Sequence, residues 1–244
     1  CRCVIYLPAG TADARVEAIE GHGARAIRID GGYDEALERA SREAAGEEDR
    51  ILVSDTDNDG RAEVPRMVMQ GYTILAREAL AQLPSGVRPT HVFLQAGVGG
   101  LAAAVTAHLW EALGPGRPMV TVVEAADADC LRRSAREGRR VELERTPGTE
   151  MGGLACRAPS RLAWPVLRRG AHRFMAVTDE ASRATVRVLS EPTGDDPSLE
   201  AGPSGAAGLA GLLSASGHPP SREVLGLEPD SRVLVVGTEG PPSA

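Results

Sequence analysis

Short runs rich in β-branched residues alternate along this chain with longer stretches whose apolar residues return every three to four positions. The runs predict strands at "CVIYLP" (3–8), "ARAIRI" (24–29), "RILVS" (50–54), "HVFLQ" (91–95), "MVTVVEA" (119–125), "RFMAVT" (173–178) and "RVLVVG" (232–237). Several are nearly continuous in apolar residues, as expected of parallel strands covered by helices on both faces. Helical periodicity falls between them at 11–21, 33–46, 63–83, 99–114, 126–137, 178–190 and 204–216. Thr11 and Thr178 are the expected N-caps of two of these helices, the second followed at once by acidic residues.

Strand–helix alternation of this kind specifies an α/β fold with parallel sheets and three layers. "LPSGVRP" (83–89) ends the long third helix with Pro and Gly and is the expected boundary between two α/β units. Residues 1–84 would form the smaller unit, with three strands, and 88–244 the larger. Stretches 191–203 and 217–221 read as Pro/Gly-rich loops, and "GPPSA" as a frayed tail.

Composition narrows the function. The 244 residues are 42% hydrophobic, 25% charged and 3% aromatic, the balance of a soluble globular protein. A net charge of -7 argues against nucleic acid or an anionic membrane as partner. Cys1, Cys3, Cys130 and Cys156 form no metal-ligand pattern, and the five histidines are scattered, so no metal is expected. Cysteine usage suggests a reduced, cytoplasmic location. All 27 basic residues are arginine; lysine is absent.

The chemistry begins at "THVFLQAGVGGLAAAV" (90–105), where a strand meets Gly97, Gly99 and Gly100 and then a helix. Amides at a helix N-terminus bind phosphate, and glycine allows the close approach this needs. Tight strand–helix packing would explain the same glycines. The loop is not a Walker A sequence, since no Gly-Lys-Ser/Thr follows, nor a complete GxGxxG fingerprint.

A resemblance adds to this. "IYLPAGTADARVEAIEGHGA", "YDEAL", "VSDT", "VPRMVMQGYTILAREA", "PTHVFLQAGVGGLAAAV", "VEAADADCLRRS", "MGGLACRAPS", "GDDPSLEAGPSGAAGLAGL" and "VVGTEG" lie in order over nearly the whole chain. Together they resemble the diaminopropionate ammonia-lyases, pyridoxal 5'-phosphate (PLP) enzymes of the tryptophan synthase β-like, fold type II superfamily. The resemblance implies that the amides of Gly97, Val98, Gly99 and Gly100 cradle the PLP phosphate. It implies that Asp55 is one of two aspartate bases acting on a small amino-acid substrate. Read without the family, Asp55 is a turn or helix cap beside Thr56, Asp57 and Asp59. In the family a hydroxyl or thiol in the segment matching "VVGTEG" faces the pyridine nitrogen. Gly237 aligns with that position, which leaves Thr238 as the substitute.

The family's Schiff-base lysine, its asparagine–glycine carboxylate loop and its second aspartate precede the segment matched by Cys1. The chain is therefore expected to be truncated at its N-terminus. It departs from the family pattern at Asn58, Arg61, Met67 and Pro203. The activity implied is elimination of ammonia from 2,3-diaminopropionate to give pyruvate, by a homodimer in the full-length form. Two alternatives remain: a catalytically dead remnant that binds a phosphate ligand weakly, and a serine/threonine dehydratase-like relative. Without lysine, the chain as given is expected to be inactive.

Overall fold

Of the runs that read as apolar strands, "HVFLQ" and "MVTVVEA" are the ones the structure buries almost completely. The computed structural model describes residues 1–46, 49–57, 62–145 and 148–240. Asn58, Asp59, Arg61 and the tail beyond Gly240 lie outside these. The element order is β1 (Val4–Pro8), α1 (Asp13–Gly21), β2 (Arg25–Ile29), α2 (Tyr33–Ala45), α3 (Glu63–Gln82), β3 (His91–Gln95) and α4 (Gly100–Leu113). Then follow β4 (Met119–Ala125), α5 (Cys130–Glu137), α6 (Ala163–Gly170), β5 (Arg173–Val177), α7 (Asp179–Ser190), α8 (Pro203–Ser216), α9 (Pro219–Leu225) and β6 (Val233–Val235). Strands β1 and β2 pair in parallel, and a second, wholly parallel sheet has the order β5-β4-β3-β6.

Residue parity sorts the core of the four-stranded sheet. Val92, Leu94, Val120 and Val122 pack with Ala76 of α3, Leu109 of α4 and Leu167 of α6. Phe93 and Val123 face the other way, onto Ala207 and Ala210 of α8. The result is three layers with β3 fully buried between β4 and β6. Each large apolar side chain removed from water there contributes roughly 1.5–3 kcal/mol. On the α8 side, Gly208 and Gly211 let the helix lie against the sheet: a Cβ would stand 2.9 Å from Gln95 Oε1 and 2.8 Å from Val123 Cγ2.

Several expectations are corrected. "RILVS" (50–54) is not a strand. Among the described residues β1 and β2 pair only with each other, so this segment has no ladder, and Ile51 and Val53 remain 81% and 74% exposed. Thr11 is not an N-cap; Ala12 takes that position and no side chain caps α1. Thr178 does cap α7, its hydroxyl accepting from Ala181 N at 3.2 Å. The helix expected over 126–137 is one 3-10 turn at Ala126–Ala128 followed by α5. Helix α9 replaces part of the loop expected at 217–221, and α6 was not among the expected helices. Pro165 lies in the first turn of α6, and Pro219 and Pro220 open α9, where proline's missing N–H has no helical partner to lose.

Candidate functional site

The carboxyl end of β3 passes directly into the glycine loop and the first turn of α4. Gly99 is the N-cap, with φ 96° in the left-handed region that a side chain rarely adopts. A Cβ on Gly97 would stand 2.8 Å from Cys156 Sγ and 2.9 Å from Gly153 O, so this backbone approaches its neighbours too closely for any other residue. Val98 O accepts from Ser160 N at 2.9 Å, which fixes the loop from the other side. Residues 97–100 border a cavity of about 440 Å³ beyond the carboxyl ends of β3 and β6. In parallel α/β sheets, ligands bind at this end.

Asp55 lines the same cavity. Its Oδ1 accepts a 2.6 Å hydrogen bond from the Tyr33 phenol, from the first turn of α2. Burial, and then the Asp55 carboxylate, hold the Tyr33 phenol above its ordinary range, so it remains the donor. The local turn is closed instead by Ser54, whose hydroxyl accepts from Thr56 N at 3.1 Å. Tyr72 of α3 adds a second phenol to the wall, raised by burial and then by Asp55. Cys156 also faces the cavity, and burial pushes its thiol up to about 12, so it presents a neutral thiol rather than a nucleophile.

The same cavity is also lined by Gln95, Ser204, Thr238 and Glu239. Gln95 Nε2 donates to Thr238 Oγ1 and to Val236 O, both at 2.7 Å. Glu239 Oε2 accepts from Ser204 N at 2.7 Å at the start of α8, and Arg15 donates to Oε1 at 2.5 Å. That carboxylate thus occupies the helix end where Pro203 supplies none. Gly237 is not among the cavity-lining residues, whereas Thr238 is.

The model of the family described as "Pyridoxal-phosphate dependent enzyme" matches residues 1–238. The chain belongs to this family. Among curated PLP-family relatives, the diaminopropionate ammonia-lyase of Escherichia coli strain K12 is 40% identical over 241 residues, 97% of this chain and 60% of its own length. That of Salmonella typhimurium is 34% identical over 98% of this chain and 61% of its length. The chain thus spans about three fifths of the curated relatives it matches. Among solved structures, the Escherichia coli enzyme in complex with an aminoacrylate-PLP azomethine reaction intermediate superposes with a TM-score of 0.90 at 39% identity. That match covers 98% of this chain and 62% of that one. The two parallel sheets and mixed α/β layers are those of the tryptophan synthase β-like, fold type II PLP enzymes expected from the sequence.

The residues present fit PLP at its phosphate end. The Gly97 and Gly99 positions leave no room for a Cβ, and the loop lines the cavity at the N-terminus of a 14-residue helix. They supply no lysine for its aldehyde end. The structure brings Asp55, Gly97, Val98, Gly99, Gly100 and Thr238 to one cavity. Sequence reading had no signal for Gln95, Tyr33 or Glu239 as wall residues. Each carries its polar group on an element that also reads as ordinary strand, helix or loop. No helix among the described residues is long and apolar enough to cross a membrane.

Proposed function

We propose that these residues form the phosphate-binding and proton-removing part of an ammonia-lyase acting on 2,3-diaminopropionate, with pyruvate and ammonia as products. The observation that carries this reading is that Asp55 and residues 97–100 of the glycine loop line the same cavity. The 40% identity with the Escherichia coli diaminopropionate ammonia-lyase supports the choice of substrate.

PLP, when bound, supplies the electron sink for a carbanion at the substrate Cα. The chain's own residues then divide the work. The amides of Gly97, Val98, Gly99 and Gly100 hold the phosphate. Asp55 receives the Cα proton, held in place by the Tyr33 phenol. Thr238, on the cavity wall, would hold the pyridine nitrogen through its hydroxyl and leave that nitrogen largely unprotonated. Removal of the Cα proton prepares loss of the β-amino group, and hydrolysis of the released product gives pyruvate.

The reading keeps residues 1–84 as the remainder of a smaller domain and 88–244 as the larger, cofactor-binding one. Helix α3 ties the two, since Ala76 is buried in the core of the four-stranded sheet. It also takes the full-length enzyme to be a cytoplasmic homodimer. Because arginine cannot form the covalent link, the 244 residues alone are expected to be inactive.

The test is a polypeptide in which these residues are joined to the lysine-bearing segment of the Escherichia coli relative. It should release pyruvate from 2,3-diaminopropionate. Asp55→Asn should lower kcat at least about 100-fold toward one stereoisomer, the loss of a proton-transfer group. Turnover of serine or threonine without diaminopropionate would favour a dehydratase-like enzyme. No turnover of any of these would favour a non-catalytic remnant.

A further inference from the structure

Gln95 ends the apolar strand β3, and it is only 3% exposed. A buried carboxamide is costly unless its polar atoms are used. Its Nε2 stands 2.7 Å from Val236 O, 2.7 Å from Thr238 Oγ1 and 3.3 Å from Gly205 O. Two of these partners are backbone carbonyls, which only accept. The end of the carboxamide that faces them is therefore the NH₂ group, whose two protons go to the two short contacts, Val236 O and Thr238 Oγ1, with Gly205 O farther off. The other end, Oε1, is turned toward Gly208 and has no hydrogen-bond partner among the described residues. Exchanging the two ends would set an oxygen against both carbonyls, so the orientation is fixed by its surroundings.

This decides what Thr238 can do. A hydroxyl carries one proton and two acceptor lone pairs. With Gln95 donating to Oγ1, the Thr238 proton is left for another acceptor. No other hydrogen bond holds this hydroxyl among the described residues, and Thr238 lines the cavity. A neutral ring nitrogen is an acceptor of the required kind; a protonated one is not.

We propose that Gln95 is a positioning residue that makes Thr238 a hydrogen-bond donor to the heteroaromatic nitrogen of a phosphorylated pyridine ligand. The proposal rests on the reading of Thr238 given under the proposed function. Gln95 acts through Thr238, and Gly208 provides the space its oxygen occupies.

Pyridoxamine 5'-phosphate is the probe, because it needs no covalent link, and inorganic phosphate is the control for the glycine loop alone. Both are titrated calorimetrically into the parent chain, Thr238→Val, Gln95→Met and the double variant. Each single variant should weaken the probe about tenfold, and the double variant no further, since the two residues act as one unit. Inorganic phosphate should change by less than about twofold throughout, the expectation for an independent site. In the parent chain, affinity for the probe should rise as pH passes upward through ionisation of the ring nitrogen. Gln95→Met should flatten that rise. Gln95→Glu, of nearly the same shape, should lose as much as Gln95→Met, because a carboxylate accepts the Thr238 proton. It carries the test if the methionine variant does not fold. If Thr238→Val weakens the probe and neither Gln95 variant does, the inference alone is overturned. If a Gln95 variant weakens inorganic phosphate as strongly as the probe, its role is structural and the inference also fails. If Thr238→Val changes nothing, or the parent chain does not bind the probe, the reading of Thr238 fails with it.

Discussion

Asp55 and Tyr33 are 22 positions apart in sequence, yet one hydrogen bond of 2.6 Å makes them a unit. A phenol donating to a carboxylate in a half-buried wall fixes where that carboxylate stands, and such charge-assisted bonds contribute about 1.5–3 kcal/mol. Tyr33→Phe and Asp55→Ala should therefore each destabilise the chain, and their effects should not add. A double-mutant cycle by urea unfolding should give a coupling of about 1–2 kcal/mol. A coupling near zero would mean that Tyr33 does not hold Asp55. Sequence spacing exposed the glycine loop because three glycines between a strand and a helix are rare without a backbone reason. Nothing comparable marked Tyr33, which reads as the first residue of an ordinary amphipathic helix. Gln95 likewise reads as the polar end of an apolar strand. Its role depends on Val236 and Thr238, 141 and 143 positions away.

At the scale of elements, the N-terminus of α5 is organised by a buried carboxylate. Glu124, 0% exposed at the end of β4, accepts from Leu131 N and Arg132 N, both at 2.7 Å. These bonds draw the first turn of α5 toward the sheet and separate it from the 3-10 turn before it. Burial outweighs them and pushes the Glu124 carboxyl up to about 8. A carboxyl raised in the folded state favours folding when protonated. Its contribution is complete below the ordinary glutamate range and is lost as pH rises toward 8. Each unit of that interval is worth about 1.4 kcal/mol. Glu124→Gln should flatten the decline of Tm between about pH 5 and pH 8, measured by thermal unfolding across that range. An unchanged decline would assign it to other groups. The two central strands of the larger sheet, β3 and β4, were legible in the sequence because both of their faces are buried. "RILVS" has the same composition but no partner among the described residues, and composition alone does not supply a ladder. Helix α9 was hidden by the prolines that open it, which read as a loop.

Over the whole molecule, Asp55 and Tyr33 from the N-terminal third meet the glycine loop, Thr238 and Glu239 across one cavity. The Arg15–Glu239 pair also links α1 to the start of α8 from opposite ends of the chain. The family and the α/β class were legible because ordered motifs run through almost every element. The wall of the cavity was not, since it is assembled from loops distant in sequence. The central claim is that this chain captures PLP through its phosphate and, lacking lysine, without a covalent bond. The most direct measurement titrates PLP into the chain while recording spectra, with and without borohydride, followed by intact mass. Binding should be saturable, displaced by inorganic phosphate and lost in Gly97→Ala, where a Cβ would meet Cys156 Sγ at 2.8 Å. No borohydride-fixed adduct should form on an internal residue. A stoichiometric, reducible adduct there, or binding indifferent to phosphate and to Gly97→Ala, would contradict the account.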